Sequence, residues 1–201
     1  MIASSLNSLP LPVAGTPDGA AELALIHSAQ AGCPQAFRSL VERHQQRVYH
    51  FCFHYLGDAG DAREACQDTF IRAHGALHRF KPKAKLSTWL FQIALNLCRD
   101  RKRPTSKSRP HLALHEHEHA AELMCHRAAP DEAAMRDADL AKLDRGLSTL
   151  PEKFREVLVF SCLEGLDHTE CAAILKCSPR AVEGRLYRAR QQLAAWWEKE
   201  E

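Results

Sequence analysis

The chain's potential chemistry gathers first around Trp89. This residue stands near the front of KLSTWLFQIALNLCRDRKR, Lys85 to Arg103, with Ser87 and Thr88 just before it, Gln92, Asn96 and Arg99 after it, and the basic loop HRFKPKAK ahead of it. An aromatic ring beside cations and short polar groups gives an unstacked base a face to stack on, charges for its phosphates and donors for its edge. Single-stranded nucleic acid requires all three. The same stretch also reads as a core helix with Leu90, Ile93, Ala94, Leu97 and Cys98 on one face, Trp89 in the core and the lysines in a solvated loop. Between Arg79 and Arg109, ten Lys or Arg stand against one acid, Asp100, which is the footprint of a polyanion partner.

A second cluster lies near the carboxy terminus. Asp167 with Glu170 forms a capping box for a short helix through Leu175, Lys176 to Ser178 turn the chain, and Ser178 followed by Pro179 opens a long helix. Short helix, tight turn and long helix make a helix-turn-helix pattern. The long helix carries an apolar stripe, Val182, Leu186, Ala189, Leu193 and Trp196, and turns Arg180, Glu183, Gly184 and Tyr187 the other way, flanked by Arg185, Arg188 and Arg190. Such a face suits a major groove, where Arg forks onto guanine and Arg or Tyr holds phosphate; a basic solvated face is the plainer reading.

A third cluster is His111, His115, His117, His119, Cys125 and His126, donors able to hold zinc, nickel or copper. No CxxC anchors them, and Glu116, Glu118 and Glu122 fit a polar linker equally well. No Ser-His-Asp set, phosphate-cradling glycine loop or paired-carboxylate motif appears, so neither enzymatic activity nor a cofactor is expected.

The elements that position these residues are helical. From Ala36 the positions Phe37, Leu40, Val41, His44, Val48, Phe51, Cys52 and Tyr55 step by threes and fours up to a stop at Gly57. Asp61 with Glu64 is expected to cap the next helix, which buries Ala65, Cys66, Phe70 and Ala73, and Ser87 is expected to cap the helix that carries Trp89. Gly146 and Gly165 are expected as breaks in the last third. Strand signals are absent, so the fold class is all-α. Residues 1–20 read as a disordered leader, 21–103 as one small helical domain, 104–130 as a His-rich flexible linker and 131–201 as a second small helical domain. The 45% apolar content suffices for real cores, no run approaches the ~18 apolar residues of a membrane span, and the eight scattered cysteines read as reduced and mostly packed, as in a cytoplasmic protein.

DAREACQDTFIRA, LSTWLFQIALNLCRD and SPRAVEGRLYRAR, in that order, resemble a bacterial sigma factor of the extracytoplasmic-function group, in the sigma-70 superfamily. The likeness covers nearly everything but the leader and linker. It implies a sigma2-like domain of three or four helices that binds the RNA polymerase β′ clamp helices through Asp61, Glu64, Gln67, Asp68 and Arg72. The same domain would melt the minus-ten promoter element through Arg79, Lys81, Lys83, Lys85, Ser87, Thr88, Trp89, Asn96 and Arg99. It further implies a sigma4-like helix-turn-helix domain reading the minus-thirty-five element through Ser178, Arg180, Glu183, Gly184, Arg185, Tyr187 and Arg188. The implied partners are core polymerase, including the β flap, promoter DNA and an anti-sigma factor. Arg63 and Cys66 depart from the acid and small aliphatic residue that relatives more often carry, and Glu183 adds a carboxylate to the recognition face. The competing readings are a helix-turn-helix regulator that works without core polymerase and a metal-responsive regulator using the His/Cys-rich linker.

Overall fold

The computed structural model describes residues 19–82, 84–103 and 142–199, so Lys83, the six metal-ligand candidates and the expected linker lie outside the described residues. The chain divides into a unit ending at Arg43 and a unit beginning at His44. In the first, α1 (Gly19–Gln30) buries Ile26, and α2 (Pro34–Leu56) begins with proline at the position where a missing N–H costs nothing.

In the second unit, the rest of α2 buries Val48, Phe51, Cys52 and Tyr55, then stops at Gly57, whose φ of +76° is open to glycine at no steric cost. Helix α3 (Ala59–Ala76) follows, a short 3₁₀ turn spans Leu77–Arg79, and α4 runs Leu86–Lys102. The carboxy-terminal part comprises α5 (helical residues 142–149), α6 (Glu152–Leu158) running into a π turn at Val159–Leu163, α7 (His168–Leu175) and α8 (Pro179–Trp197). No strand occurs among the described residues.

Two expected caps move. The α3 cap is Asp58, whose Oδ1 accepts the Asp61 N–H at 2.8 Å, and Asp61 sits in the first turn. At α4 the cap position is Lys85, with no side-chain bond, and Ser87 lies inside the helix. Packing decides this: Leu86 is buried, and burying a leucine contributes about 1.5–3 kcal/mol against roughly 1 kcal/mol for a serine cap. The carboxy-terminal signals hold as expected. Asp167 and Glu170 form a reciprocal capping box, Ser178 caps α8 by accepting from the Ala181 N–H, and Lys176 makes the turn in the left-handed region at φ 51°. Gly146 is no break. It lies within α5, and a Cβ there would come 2.8 Å from the Leu193 and Trp196 side chains of α8, so the absent side chain permits close helix approach.

The centre of this unit is aromatic. The π turn brings Phe160 inward, stacked 4.6 Å from Phe51 of α2 with 12° between the rings and edge-on to Phe91 of α4 at 5.6 Å. All three rings are buried, which welds α2 and α4 to the start of the carboxy-terminal part.

Replacing Asp58 with alanine should therefore cost about 0.5–2 kcal/mol of stability, and Asp61→Ala should leave the helix capped. Urea titration followed by far-ultraviolet circular dichroism checks this; an equal loss from both variants would place the cap back at Asp61.

Candidate nucleic-acid interface

Helix α4 has a buried face and two solvent-side faces, and the heptad spacing tells them apart. Leu86, Thr88, Leu90, Phe91, Ala94, Leu95, Leu97 and Cys98 are buried. Thr88, expected among the DNA contacts, is therefore a core residue; the first turn rotates it inward beside Leu95, one heptad on. Trp89 and Asn96, also seven apart, lie on an open face: Asn96 is exposed, and half-buried Trp89 packs against Phe80 with ring centroids 5.0 Å apart. Arg79 and Lys81 are exposed just ahead of it, and Ser87 is half-buried.

Lys85, Gln92 and Arg99, again seven apart, share the remaining face, and each bonds a residue of α6 or α7, Lys85 with its side chain still 65% exposed. Arg99 forks onto Glu156 of α6 at 2.8 and 2.9 Å, Gln92 donates to the Ala173 carbonyl at 3.0 Å, and Lys85 Nζ lies 2.7 Å from Glu170 of α7. Glu156 also accepts from the Tyr55 hydroxyl at 3.3 Å, and Tyr55 donates to Glu152 as well. The carboxylate hydrogen bond raises the Arg99 and Lys85 pKa values, and burial, then the Glu152 bond, raises that of Tyr55. Nearby, Arg47 donates to the Glu164 carboxylate and carbonyl at 3.2 and 2.7 Å.

On α8, Val182, Leu186 and Ala189 are buried while Arg180, Glu183, Gly184, Tyr187 and Arg188 are exposed, with Arg185 half-buried. Tyr187 is 65% exposed, and its hydroxyl accepts from Gln191 at 2.8 Å. An open groove lined by Ser161, His168, Arg180, Glu183, Tyr187 and Arg190 runs along this face. The turn from Lys176 to Ser178 joins capped α7 to capped α8, so the arrangement can present one basic helix to a duplex groove.

On α3 the acids Asp61, Glu64 and Asp68 line one face and meet Arg101 of α4 at 3.9, 3.1 and 2.7 Å. Gln67 and Arg72 are exposed. Ile71, which sequence reading passed over, is 61% exposed between them; an apolar residue directly beside the buried Phe70 was the available signal.

These surfaces match a known architecture. The family model for sigma-70 region 2 matches residues 40–108, and that for sigma-70 region 4 matches residues 140–193. The RNA polymerase sigma-H factor of Pseudomonas aeruginosa is 30% identical over 176 residues, covering 84% of this chain and 90% of its own length. This chain belongs to the extracytoplasmic-function sigma factors of the sigma-70 family. RNA polymerase sigma factor NccH of Alcaligenes xylosoxydans xylosoxydans is 33% identical over 178 residues, covering 89% of this sigma factor and 95% of its own chain. Among solved structures, CnrH in complex with the cytosolic domain of CnrY is 31% identical with a TM-score of 0.69, covering 90% of this sigma factor and 99% of that chain.

The six metal-ligand candidates lie outside the described residues, so the described residues leave the metal-responsive reading untouched. Among the described residues no group of three His, Cys, Asp or Glu could hold a metal, and no described helix is long and apolar enough to cross a membrane. The thiols of Cys52, Cys66 and Cys171 have raised pKa values, Cys52 chiefly through its hydrogen bond with Cys98 and the other two through burial, with Cys66 pushed up to about 11 and Cys171 to about 12. Such thiols stay protonated and pack as apolar groups.

Arg101→Gln removes one guanidinium from three acids and should lower stability by about 1 kcal/mol at low salt. In 1 M salt, where the Debye length is roughly 3 Å, the difference should shrink. Urea midpoints at both ionic strengths check this; a loss independent of salt would mean that Arg101 acts by packing alone.

Proposed function

We propose that this sigma factor binds core RNA polymerase and directs initiation at its own promoters, with residues 21–103 opening the minus-ten element, residues 131–201 reading the minus-thirty-five element as duplex, and residues 104–130 joining them. The observation that carries the reading is the pairing, in one chain, of an aromatic-basic helix suited to separated strands with a rigid helix-turn-helix whose basic face is open. A repressor that reads only duplex has no use for the first.

The roles follow from chemistry. Trp89, flanked by Arg79, Lys81 and Asn96, offers a base a stacking surface, phosphate charges and an amide for edge recognition; stacking contributes about 1–3 kcal/mol per base, enough to offset unstacking when polymerase holds the strand in place. Ser87, Lys85 and Arg99 extend that surface, and Lys83, which lies outside the described residues, adds one more cation to the basic run of the sequence. Arg180, Arg185 and Arg188 supply base and phosphate contacts in the major groove, Ser178 and Tyr187 hold backbone, and Gly184 admits it closely; Glu183 accepts from a cytosine amino group or orients its arginine neighbours. The face of Asp61, Glu64, Gln67, Asp68 and Arg72, with Ile71 at its centre, docks on the β′ clamp helices, and the carboxy-terminal domain engages the β flap. CnrH, solved in complex with the cytosolic domain of CnrY, supports a protein partner for this chain too, and we assign that role to an anti-sigma factor. The site of action is the cytoplasm, and no enzymatic step is involved.

Purified with core polymerase, the chain should form a holoenzyme and yield discrete run-off transcripts from genomic fragments. Trp89→Ala should lower open-complex formation by about tenfold while core binding stays within about twofold, since one lost stacking contact is roughly 1.4 kcal/mol. Arg180→Ala should reduce discrimination between promoter variants by a similar factor. Absence of any specific start site would overturn the reading, and equal losses of polymerase binding and opening would remove Trp89 from strand capture.

A further inference from the structure

Around Tyr55 the charges of three helices do not balance. Arg99 of α4 forks onto Glu156 and lies 3.7 Å from Glu152, both on α6, and the Tyr55 hydroxyl of α2 donates to both carboxylates. Arg155 of α6 points its donors at the Leu147, Ser148 and Leu150 carbonyls and meets the Tyr55 carbonyl at 3.5 Å. Lys102, in the last turn of α4, brings its Nζ to 5.0 Å from the centre of the Tyr55 ring, and among the described residues no carboxylate forms a salt bridge with it. Three cations, Arg99, Lys102 and Arg155, therefore face two carboxylates, Glu152 and Glu156.

A guanidinium keeps its proton in a protein, so only Lys102 can relieve the excess by becoming neutral. Burial of the amine first, then the Arg155 charge, lower its pKa from the ordinary 10.5 to about 8, with Glu152 and the Cys98 thiol pulling the other way. The Tyr55 ring also favours the ammonium, but by about 0.5–1 kcal/mol, which is less than one pKa unit. A lysine set on an apolar surface beside another cation is an activated nucleophile. The residue as a whole is exposed, so a small reagent reaches the amine from solvent.

We propose that Lys102 is a nucleophile at neutral pH and the preferred site on this chain for acylation by small acyl phosphates. The nitrogen lone pair attacks the acyl carbon, the C–N bond forms as the bond from that carbon to the phosphate oxygen breaks, and the proton shed by nitrogen leaves with inorganic phosphate. No electron transfer is involved. The amide that results is neutral, so the cluster is left with two cations and two carboxylates. The site is separate from the residues assigned above to DNA strand capture, duplex reading and polymerase docking, apart from Arg99, which stays bonded to Glu156.

The test incubates the full chain with acetyl phosphate at pH 7 and follows acetylation of each lysine by peptide mass spectrometry. A pKa of about 8 in place of an ordinary lysine's leaves roughly 200-fold more free amine, and the weaker nucleophilicity of a less basic group offsets about tenfold of that. Lys102 should therefore acetylate at least about tenfold faster than Lys153, an exposed lysine whose Nζ likewise lies 5.1 Å from an aromatic ring, that of Phe154. The Lys102 rate should climb with pH and level off just above about pH 8. Glu152→Gln, which leaves three cations facing one carboxylate, should bring that plateau to lower pH. In urea sufficient to unfold the chain, the preference for Lys102 should vanish. Equal rates at Lys102 and Lys153 in the folded chain would overturn the proposal, as would a rate still rising steeply at about pH 9.5. A preference that survives unfolding would overturn it too, since the neighbouring sequence and not the cluster would then be its cause, and so would a plateau that Glu152→Gln leaves in place or raises.

Discussion

A carboxylate nearly sealed from water must be matched, and Glu156 is that carboxylate. Its side chain is 2% exposed, and the partners that hold it come from elsewhere in the chain: Arg99 of α4 through two oxygens and Tyr55 of α2 through its hydroxyl. An ion that loses its water stabilises a structure only if its partner geometry is good and its remaining lone pairs are met, and breaking such a pair costs far more than a surface pair. The geometry here meets both conditions. The neighbouring Arg155 is treated the same way with opposite sign, its guanidinium donating to the carbonyls of Leu147, Ser148 and Leu150 at the end of α5. Two adjacent residues thus fix α6 in both directions, toward α5 and toward α4.

Around that pair the aromatic cluster makes the contact cooperative. Phe160 reaches Phe51 and Phe91 because the π turn adds a residue to the helix at that point, shifting the side-chain register inward. Ion pair, ring stack and the Arg47–Glu164 bonds all join the carboxy-terminal helices to α2 and α4. On α4 the heptad offset separates partners: half-buried Trp89 and exposed Asn96 share one face, while Lys85, Gln92 and Arg99 each bond a residue of the carboxy-terminal helices.

Much of this was legible in the chain itself where local chemistry decides. The Asp167–Glu170 box, the Ser178–Pro179 start and the α8 stripe were readable because capping and periodicity act within a few residues. The order of the family motifs was readable too. Asp58 and Lys85 at the caps were not, since burial of Leu86 and the start of α3 at Ala59 outweigh a local cap preference. Thr88 looked like a surface donor because its neighbours do, yet one step around the helix places it in the core. Gly146 looked like a breaker and is a contact point for Leu193 and Trp196, a fact that requires knowing which helices touch. The partnership of Arg99 with Glu156, fifty-seven residues apart, left no mark in either local pattern.

The direct measurement is the coupling between those two residues. Arg99→Ala, Glu156→Ala and the double variant, unfolded in urea as full chains, give the interaction energy as a double-mutant cycle. With Arg99 about one-third exposed, solvent screening reduces the value below that of a fully buried pair, and the account predicts a coupling of about 1–2 kcal/mol. Additive losses, with coupling near zero, would contradict it.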